Sequence, residues 1–195
     1  LAKGYDKIFQ ICKAYRNEPV SSTHYPEFAI LEWYRSHSTY EQIMPDVEAL
    51  FSHLAQKFYG DHQFQAWGKQ DLTQPWLRFT IEECFQKFAE LELTDLFETK
   101  KLAQVCVSRG WASPDHLGTW DDLFFLVMLN AVEPKLAGLG KPVIVYLYPE
   151  SQAALSNIIT DSRGFRWAKR FEVYAGGLEL GNAFDTYIKL LEGKI

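Results

Sequence analysis

Two segments near the start of the chain alternate residues in the manner of β-strands. Residues 7–16 and 27–35 are rich in β-branched and aromatic side chains, and the polar stretch between them contains two prolines. This pattern predicts a long β-hairpin. A period of two places Phe28, Glu32 and Tyr34 on one face of the second strand. We therefore expect the Glu32 carboxylate and the Tyr34 phenol to point the same way.

The middle of the chain has helical periodicity instead. Apolar residues recur at helical intervals over residues 39–59, after a capping-box pair at Ser38 and Glu41. Three more helices are predicted after threonines, over residues 81–91, 94–110 and 119–130. Together these helices predict a helical insertion over about residues 80–132. A final helix, capped by Asp185, is expected over residues 186–191.

Strand patterns return in the last third. Residues 142–148 form a nearly continuous apolar run, and residues 170–182 predict two short strands around a pair of glycines. The chain thus has strands, then helices, then strands, without regular βαβ alternation. This order predicts an α+β fold with an antiparallel or mixed sheet.

Composition and charge exclude several classes of protein. The 195 residues are 47% hydrophobic and 15% aromatic, which predicts a buried core and favours one domain. A net charge of -5, with no basic run longer than Lys100–Lys101, argues against non-specific nucleic-acid binding. Three widely spaced cysteines without a CxxC motif favour neither disulfides nor zinc, and so predict a cytoplasmic protein. No apolar run approaches the roughly 20 residues of a membrane-spanning helix, so no membrane partner is predicted.

Glu172 and Glu179 flank the glycine pair at residues 176–177. If the two glycines are the centre of a two-residue turn, Tyr174 pairs with Glu179 and Glu172 pairs with Gly181. The two glutamates are then diagonal neighbours on one face, about 7–8 Å apart at Cα. They repel each other unless a cation lies between them, and Mg²⁺ with water and phosphate oxygens suits that arrangement. Spacing alone favours the simpler alternative, a pair of solvated glutamates on an edge hairpin.

The predicted hairpin contains further candidates. Arg16, Glu18 and His24 lie in or beside its loop, where an arginine can bind a phosphate or carboxylate bidentately. Glu32 and Tyr34 could hold an ammonium group between aromatic flanks. The alternatives are a surface charge at Arg16 and a sheet whose polar face meets water. No phosphate-loop, HExxH or GxSxG motif is present.

Four segments taken together resemble class II lysyl-tRNA synthetases. They are YRNE at 15–18, HYPEFAILEWY at 24–34, PESQAALSNI at 149–158 and RFEVYAGGLELGNAF at 170–184. The closer resemblance is to the shortened paralogues that attach a lysine-type residue to a lysine of elongation factor P. Trp33, the SQAAL segment and the compact helical insertion favour that paralogue. The resemblance implies a class II synthetase-like antiparallel sheet flanked by helices.

The resemblance also implies roles for individual residues. Six match positions that contact ATP and its metal: Arg16, Glu18, His24, Phe28, Glu172 and Glu179. Among them, Arg16 would be the catalytic arginine that contacts the amino-acid carboxylate and the α-phosphate. Phe28 would stack on adenine, and Glu172 and Glu179 would hold Mg²⁺. Four match positions that line the amino-acid pocket: Glu32, Tyr34, Asn182 and Phe184.

The implied reaction has two steps. A lysine-type carboxylate attacks the α-phosphate of ATP to give an aminoacyl-adenylate and pyrophosphate, and the aminoacyl group is then transferred to a lysine of elongation factor P. Such chemistry needs positioning and charge neutralisation rather than a protein nucleophile. A tRNA acceptor is less expected, because no anticodon-binding barrel is visible. The full-length protein is expected to be a homodimer.

Three departures from the family pattern change this expectation. Thr23 replaces the basic residue before His24, and Tyr25 stands where the family usually has asparagine. Thr186 replaces the second carboxylate that would meet the lysine ammonium. Losing that hydrogen bond would weaken lysine binding about ten- to a hundredfold unless Asp185 substitutes. The choice between α-lysine and β-lysine stays open.

Motifs 1 and 3 of the family would lie before Leu1 and after Ile195. We therefore expect residues 1–195 to be a single, partial catalytic domain with little adenylation activity alone. Three functions stay open: a lysine ligase acting on a protein, a tRNA-charging synthetase, and a degenerate paralogue that binds without catalysis.

Overall fold

A computed structural model describes residues 4–21, 23–64 and 68–186. The chain divides into two compact units, Leu1–Ser38 and Thr39–Ile195.

The first unit is the predicted β-hairpin. Strands β1 (Lys7–Tyr15) and β2 (Glu27–Arg35) pair antiparallel over their whole length. The pairing continues into the loop, where the Arg16 N–H donates to the Pro26 carbonyl at 2.9 Å.

The second unit is built on a five-stranded mixed sheet. Its strands are β5 (Leu77–Thr80), β6 (Val143–Pro149), β7 (Ile158–Thr160), β8 (Arg166–Ala175) and β9 (Leu178–Phe184). Strand β6 lies between β5 and β8, while β7 and β9 pair with the start and the end of β8 on its other side. Only β5 and β6 pair parallel within this sheet, because the helical segment connects them. The α+β class predicted from the sequence is confirmed.

A small two-stranded sheet was not predicted. Strands β3 (Gln63–Phe64) and β4 (Gln70–Asp71) pair antiparallel after the first helix. Two-residue strands contain too few positions for an alternating pattern to be recognised.

The first helix, α1 (Tyr40–Tyr59), ends at Gly60 in the left-handed conformation. The capping box predicted at Ser38 and Glu41 is wrong by one residue, since the structure has it at Thr39 and Gln42. The Ser38 hydroxyl donates to the Ser36 carbonyl, so Thr39 becomes the N-cap and its N–H donates to the Gln42 side chain at 2.9 Å.

The helical segment between β5 and β6 runs further than predicted. Its helices are α2 (Ile81–Ala89), α3 (Leu93–Phe97), α4 (Thr99–Ser108), α5 (Trp120–Val127) and α6 (Glu133–Ala137). The helix predicted over residues 94–110 is wrong as one element, because Glu98 has extended backbone angles and separates α3 from α4. A π-helical turn, Met128–Val132, joins α5 directly to α6.

The core lies between this helical segment and the sheet. Phe124 is fully buried and stacks on Phe85 and on Trp120, with ring centroids 5.2 Å apart in each pair. Residues of β6 and β8 belong to the same buried cluster. Helix α1 lies against β8 and β9.

The final helix predicted over residues 186–191 falls mostly on residues 187–191, outside the described part of the chain. Among the described residues, no helix is long and apolar enough to cross a membrane.

Candidate active site

The turn between β8 and β9 has the predicted geometry. Gly176 and Gly177 both have positive φ, 58° and 82°, as the central residues of a type I′ hairpin turn do. Ala175 pairs with Leu178, and Tyr174 pairs with Glu179. The predicted pairing of these four residues is confirmed.

Further from the turn the predicted register is wrong. Glu172 pairs with Asn182 rather than with Gly181. The physical reason is a β-bulge: Gly181 pairs with Val173, which leaves Leu180 as an additional residue in β9. A glycine pair predicts the turn, but nothing in the sequence pattern marks this insertion.

The bulge determines which side chains meet. Residues directly opposite one another in a ladder share a face, so Glu179, Asn182 and Phe184 lie on the face of β8 that includes Glu172. In a regular strand, residues 179 and 182 would face opposite sides. Here the Asn182 amide donates to Glu179 Oε1 at 3.3 Å. Glu179, Asn182 and Phe184 are exposed, so this face of β9 is accessible to a ligand.

Glu172 is buried, with 9% of its surface exposed. Its Oε2 accepts hydrogen bonds from the Tyr148 hydroxyl at 2.7 Å and the Tyr174 hydroxyl at 2.6 Å. Its Oε1 forms an ion pair with Arg170. Sequence reasoning missed these three partners, although Arg170, Glu172 and Tyr174 alternate along β8 and so had to share a face.

Both phenols are held in their neutral form. Burial, followed by the Glu172 charge, raises the pKa of Tyr174 well above its usual range. Burial also raises the pKa of Tyr148, which is further raised by Tyr174 and Glu172. The two hydroxyls therefore keep their protons and act as donors to Glu172.

Glu133 is a third carboxyl group near the glutamate pair, and sequence reasoning missed it too. It follows the π-helical turn as the first residue of α6 and is half-buried. Burial raises the pKa of Glu133, and the charges of Glu172 and Glu179 raise it further. The helical segment therefore contributes to the electrostatics of this face.

Carboxylate oxygens are the donors that this face offers to a metal ion. Among the described residues, no group of three or more His, Cys, Asp or Glu side chains is placed to hold a metal ion. Mg²⁺ bound with a nucleotide needs only one or two carboxylates, since phosphate and water oxygens supply the other ligands. Glu172 and Glu179, with oxygen donors on one face, fit that requirement.

The hairpin unit contains the other ATP candidates. The Arg16 guanidinium carbon lies 5.3 Å from the centroid of the Phe28 ring, a cation–π contact. The Glu18 N–H donates to the Arg16 carbonyl at 2.9 Å. His24 Nδ1 lies 2.9 Å from the Thr23 hydroxyl. The hairpin loop thus presents a cation beside an aromatic ring.

The two amino-acid candidates in the hairpin occupy alternate positions of β2. Glu32 lies opposite Gln10, whose amide donates to Glu32 Oε2 at 2.6 Å. Tyr34 lies opposite Ile8 and is exposed. The expected common face of Glu32 and Tyr34 agrees with this register.

Asp185 does not supply the carboxylate missing at Thr186. Its N–H donates to the Lys169 carbonyl at 3.0 Å, and its carboxylate lies 3.9 Å from Lys169 Nζ. Burial raises the pKa of Asp185, while the Tyr40 N–H at the start of α1 and the Lys169 charge oppose that rise. Since Lys169 and Glu172 lie on opposite faces of β8, Asp185 is directed away from the Glu172 face.

This mixed sheet with its flanking helices is consistent with a class II synthetase-like domain. The family described as tRNA synthetases class II (D, K and N) matches residues 1–189, and the chain belongs to that family.

Individual relatives are lysine ligases. The chain is 33% identical to an elongation factor P–(R)-β-lysine ligase of Salmonella arizonae over 187 residues, covering 94% of this chain and 51% of that protein. The corresponding ligase of Salmonella gallinarum is 33% identical over 186 residues, with 94% and 51% covered. A lysine–tRNA ligase 2 of Methanosarcina mazei is 29% identical over 190 residues, covering 97% of this chain and 36% of that protein. The chain thus spans about half the length, or less, of these relatives.

Proposed function

We propose that this chain is part of an enzyme that activates lysine or a lysine analogue with ATP and transfers it to a lysine of elongation factor P. The observation that supports this most is the exposed β9 face, where Glu179 and Asn182 lie beside the buried carboxylate of Glu172. The similarity to elongation factor P ligases over 94% of the chain supports the choice of acceptor. We propose that the enzyme acts in the cytoplasm as a homodimer.

Each residue has a defined task in the proposed reaction. The Arg16 guanidinium binds the substrate carboxylate and the α-phosphate, and so stabilises negative charge that develops at phosphorus. Phe28 offers its ring to adenine, while Glu18 and His24 position the rest of the nucleotide. Glu172 and Glu179 hold Mg²⁺, which neutralises phosphate charge when it is bound.

Four residues are proposed to bind the amino acid: Glu32 and Tyr34 of the hairpin unit, and Asn182 and Phe184 of β9. Since Asp185 is directed toward Lys169 and α1, Glu32 is the carboxylate left among these residues to meet an ammonium group. A single carboxylate predicts weaker selection for lysine than two would give. This is also the feature that keeps a non-catalytic, ligand-binding paralogue as the second candidate.

Amino-acid-dependent pyrophosphate exchange tests the proposal, measured on the natural protein at full length. We expect exchange with α-lysine, β-lysine or a close analogue, and loss of exchange in Glu179→Gln. The matched control is Glu90→Gln, which changes an exposed glutamate at the end of α2. Absence of exchange with every lysine analogue would reject the enzyme and leave the non-catalytic paralogue.

A second measurement identifies the acceptor. Labelled amino acid is supplied with ATP and either elongation factor P or tRNA, and the label is followed into each. We expect label on the protein. Label on tRNA alone would reject elongation factor P and favour the function of the Methanosarcina relative.

A further inference from the structure

The Glu172 carboxylate has three side-chain partners that donate to it. An ionised carboxylate has about four acceptor positions. Three of those on Glu172 are taken by the Tyr148 hydroxyl, the Tyr174 hydroxyl and the Arg170 guanidinium. One position is therefore left for a ligand.

An irregularity in the pairing of β6 with β8 places Tyr148 on the face of this carboxylate, because one residue of β6, Leu147, lies opposite two residues of β8, Lys169 and Arg170. Tyr146 pairs with Phe171 and Tyr148 pairs with Ala168, so the register shifts between them. Leu147, the residue between the two tyrosines, has φ 56°, a left-handed conformation that is unfavourable for a branched side chain. Without the shift, Tyr148 would share a face with Tyr146 and not with Glu172.

A second irregularity acts from the other side of β8. The bulge at Leu180 brings Asn182 opposite Glu172. Bulges often occur beside active sites, where they redirect a side chain, and strained backbone persists where its surroundings require it. Both edges of β8 thus depart from regular pairing within a few residues of Glu172, between Ala168 and Phe171 on the β6 side and between Val173 and Tyr174 on the β9 side.

Arg170 is itself fixed. Its guanidinium lies 4.6 Å from the centroid of the Tyr148 ring, and one of its terminal nitrogens donates to the Gln152 carbonyl at 2.7 Å. These two contacts restrict the position of the guanidinium beside Glu172. Fixed donors around a buried carboxylate both offset the cost of burying its charge and restrict it to one orientation.

We propose that Tyr148, Tyr174 and Arg170 are positioning residues that orient Glu172 so that it offers a single oxygen position to the magnesium nucleotide. Glu179, which is exposed, makes the adaptable contact on the same face. This inference rests on the proposed function, because the magnesium nucleotide is the ligand that the proposal assigns to the site.

The test uses Tyr148→Phe and Tyr174→Phe in the natural protein at full length. Each variant removes one hydroxyl donor and keeps the ring. A hydrogen bond to a charged group contributes about 1.5–3 kcal/mol, so we expect KM for MgATP to rise about tenfold or more in each variant. KM for the amino acid should stay unchanged. Tyr146→Phe is the matched control, because Tyr146 lies on the same strand and faces the other side of the sheet.

A Glu172→Gln background separates positioning from general stabilisation. If the phenols act through the carboxylate, adding Tyr148→Phe or Tyr174→Phe to Glu172→Gln should change KM for MgATP little further. Effects that add fully in the combined variants would overturn the proposal.

Crystal structures of the wild type and of the Tyr148→Phe/Tyr174→Phe variant give a readout that needs no activity. We expect Glu172 to adopt a different side-chain orientation in the variant; an unchanged orientation would overturn the positioning role. If the wild type lacks exchange activity, the proposed function fails while this readout still decides the role of the phenols. If the double variant does not fold, Arg170→Lys takes its place, with the same displacement of Glu172 expected.

Discussion

The β8–β9 turn offers a direct test of how the hairpin is held. Gly177 has φ 82°, and a Cβ added there would lie 3.1 Å from the Cβ of Ala137 in α6. The substitution Gly177→Ala therefore introduces two separate problems, a left-handed alanine and a contact that is too short.

The expected loss of stability combines these two costs with one gain. A left-handed conformation costs an ordinary L-residue about 1–2 kcal/mol. Replacing glycine lowers the entropy of the unfolded chain and returns about 0.4–1 kcal/mol. The short contact with Ala137 adds to the cost, so we expect a net loss of about 1–2 kcal/mol in the free energy of unfolding. In a protein of this size that loss corresponds to a decrease of roughly 2–8 °C in Tm.

Urea unfolding followed by circular dichroism measures the effect. The matched control is Gly176→Asn, because Gly176 has φ 58° and asparagine is favoured at the first central position of a type I′ turn. We expect that variant to lie within about 0.5 kcal/mol of the wild type. Adding Ala137→Gly to Gly177→Ala should restore the stability lost through the short contact. It should not restore the stability lost through the left-handed conformation. The reasoning is refuted if Gly177→Ala is as stable as the wild type, or if Gly176→Asn is equally damaging.

Three further predictions concern the core and the pH dependence of stability. Phe124→Ala should lower the free energy of unfolding by about 3–5 kcal/mol, whereas Phe125→Ala, at a side chain that is 49% exposed, should cost far less in the same urea titration. Burial opposes ionisation of Asp161, but hydrogen bonds from Arg163, Trp167 and the Phe165 N–H together outweigh it and lower the pKa of Asp161 to about 2. This carboxylate therefore stabilises the fold above its unfolded pKa of about 3.8 and ceases to do so as the pH falls toward 2. Arg163→Gln should accordingly move the midpoint of acid unfolding to higher pH; an unchanged midpoint would contradict this. Burial raises the pKa of Tyr174, so its contribution is present below about pH 10 and is lost as the pH rises further; Tyr174→Phe should flatten the alkaline loss of stability measured by circular dichroism.

Much of the fold could be predicted from local pattern. The hairpin of β1 and β2, the helix ending at Gly60 and the tight turn at residues 176–177 all depend on neighbouring residues, whose spacing is visible in the sequence. The capping boxes at Thr80 and Thr119 are confirmed for the same reason. Errors arose where two local signals competed, as at Ser38 and Thr39.

The candidate site was only partly predictable. The common face of Glu172 and Glu179 follows from a two-residue turn, and the structure places both there. Asn182 reaches that face only through the bulge at Leu180, and Tyr148 reaches it only through the register shift at Leu147. Neither irregularity has a pattern of its own, because each results from the fit of one strand to its neighbour.

The sequence by itself determined the β1–β2 hairpin, the α1 helix and the β8–β9 turn, because turns, caps and hydrophobic periods act over a few residues. It also determined the family, since the match to class II tRNA synthetases (D, K and N) extends over residues 1–189. Only the tertiary structure decided the environment of Glu172: two phenols and a guanidinium converge on one carboxylate from two strands. It likewise decided that Asp185 turns toward Lys169. Both outcomes depend on which strands lie side by side and in which register, and that is set by packing between distant segments rather than by local spacing.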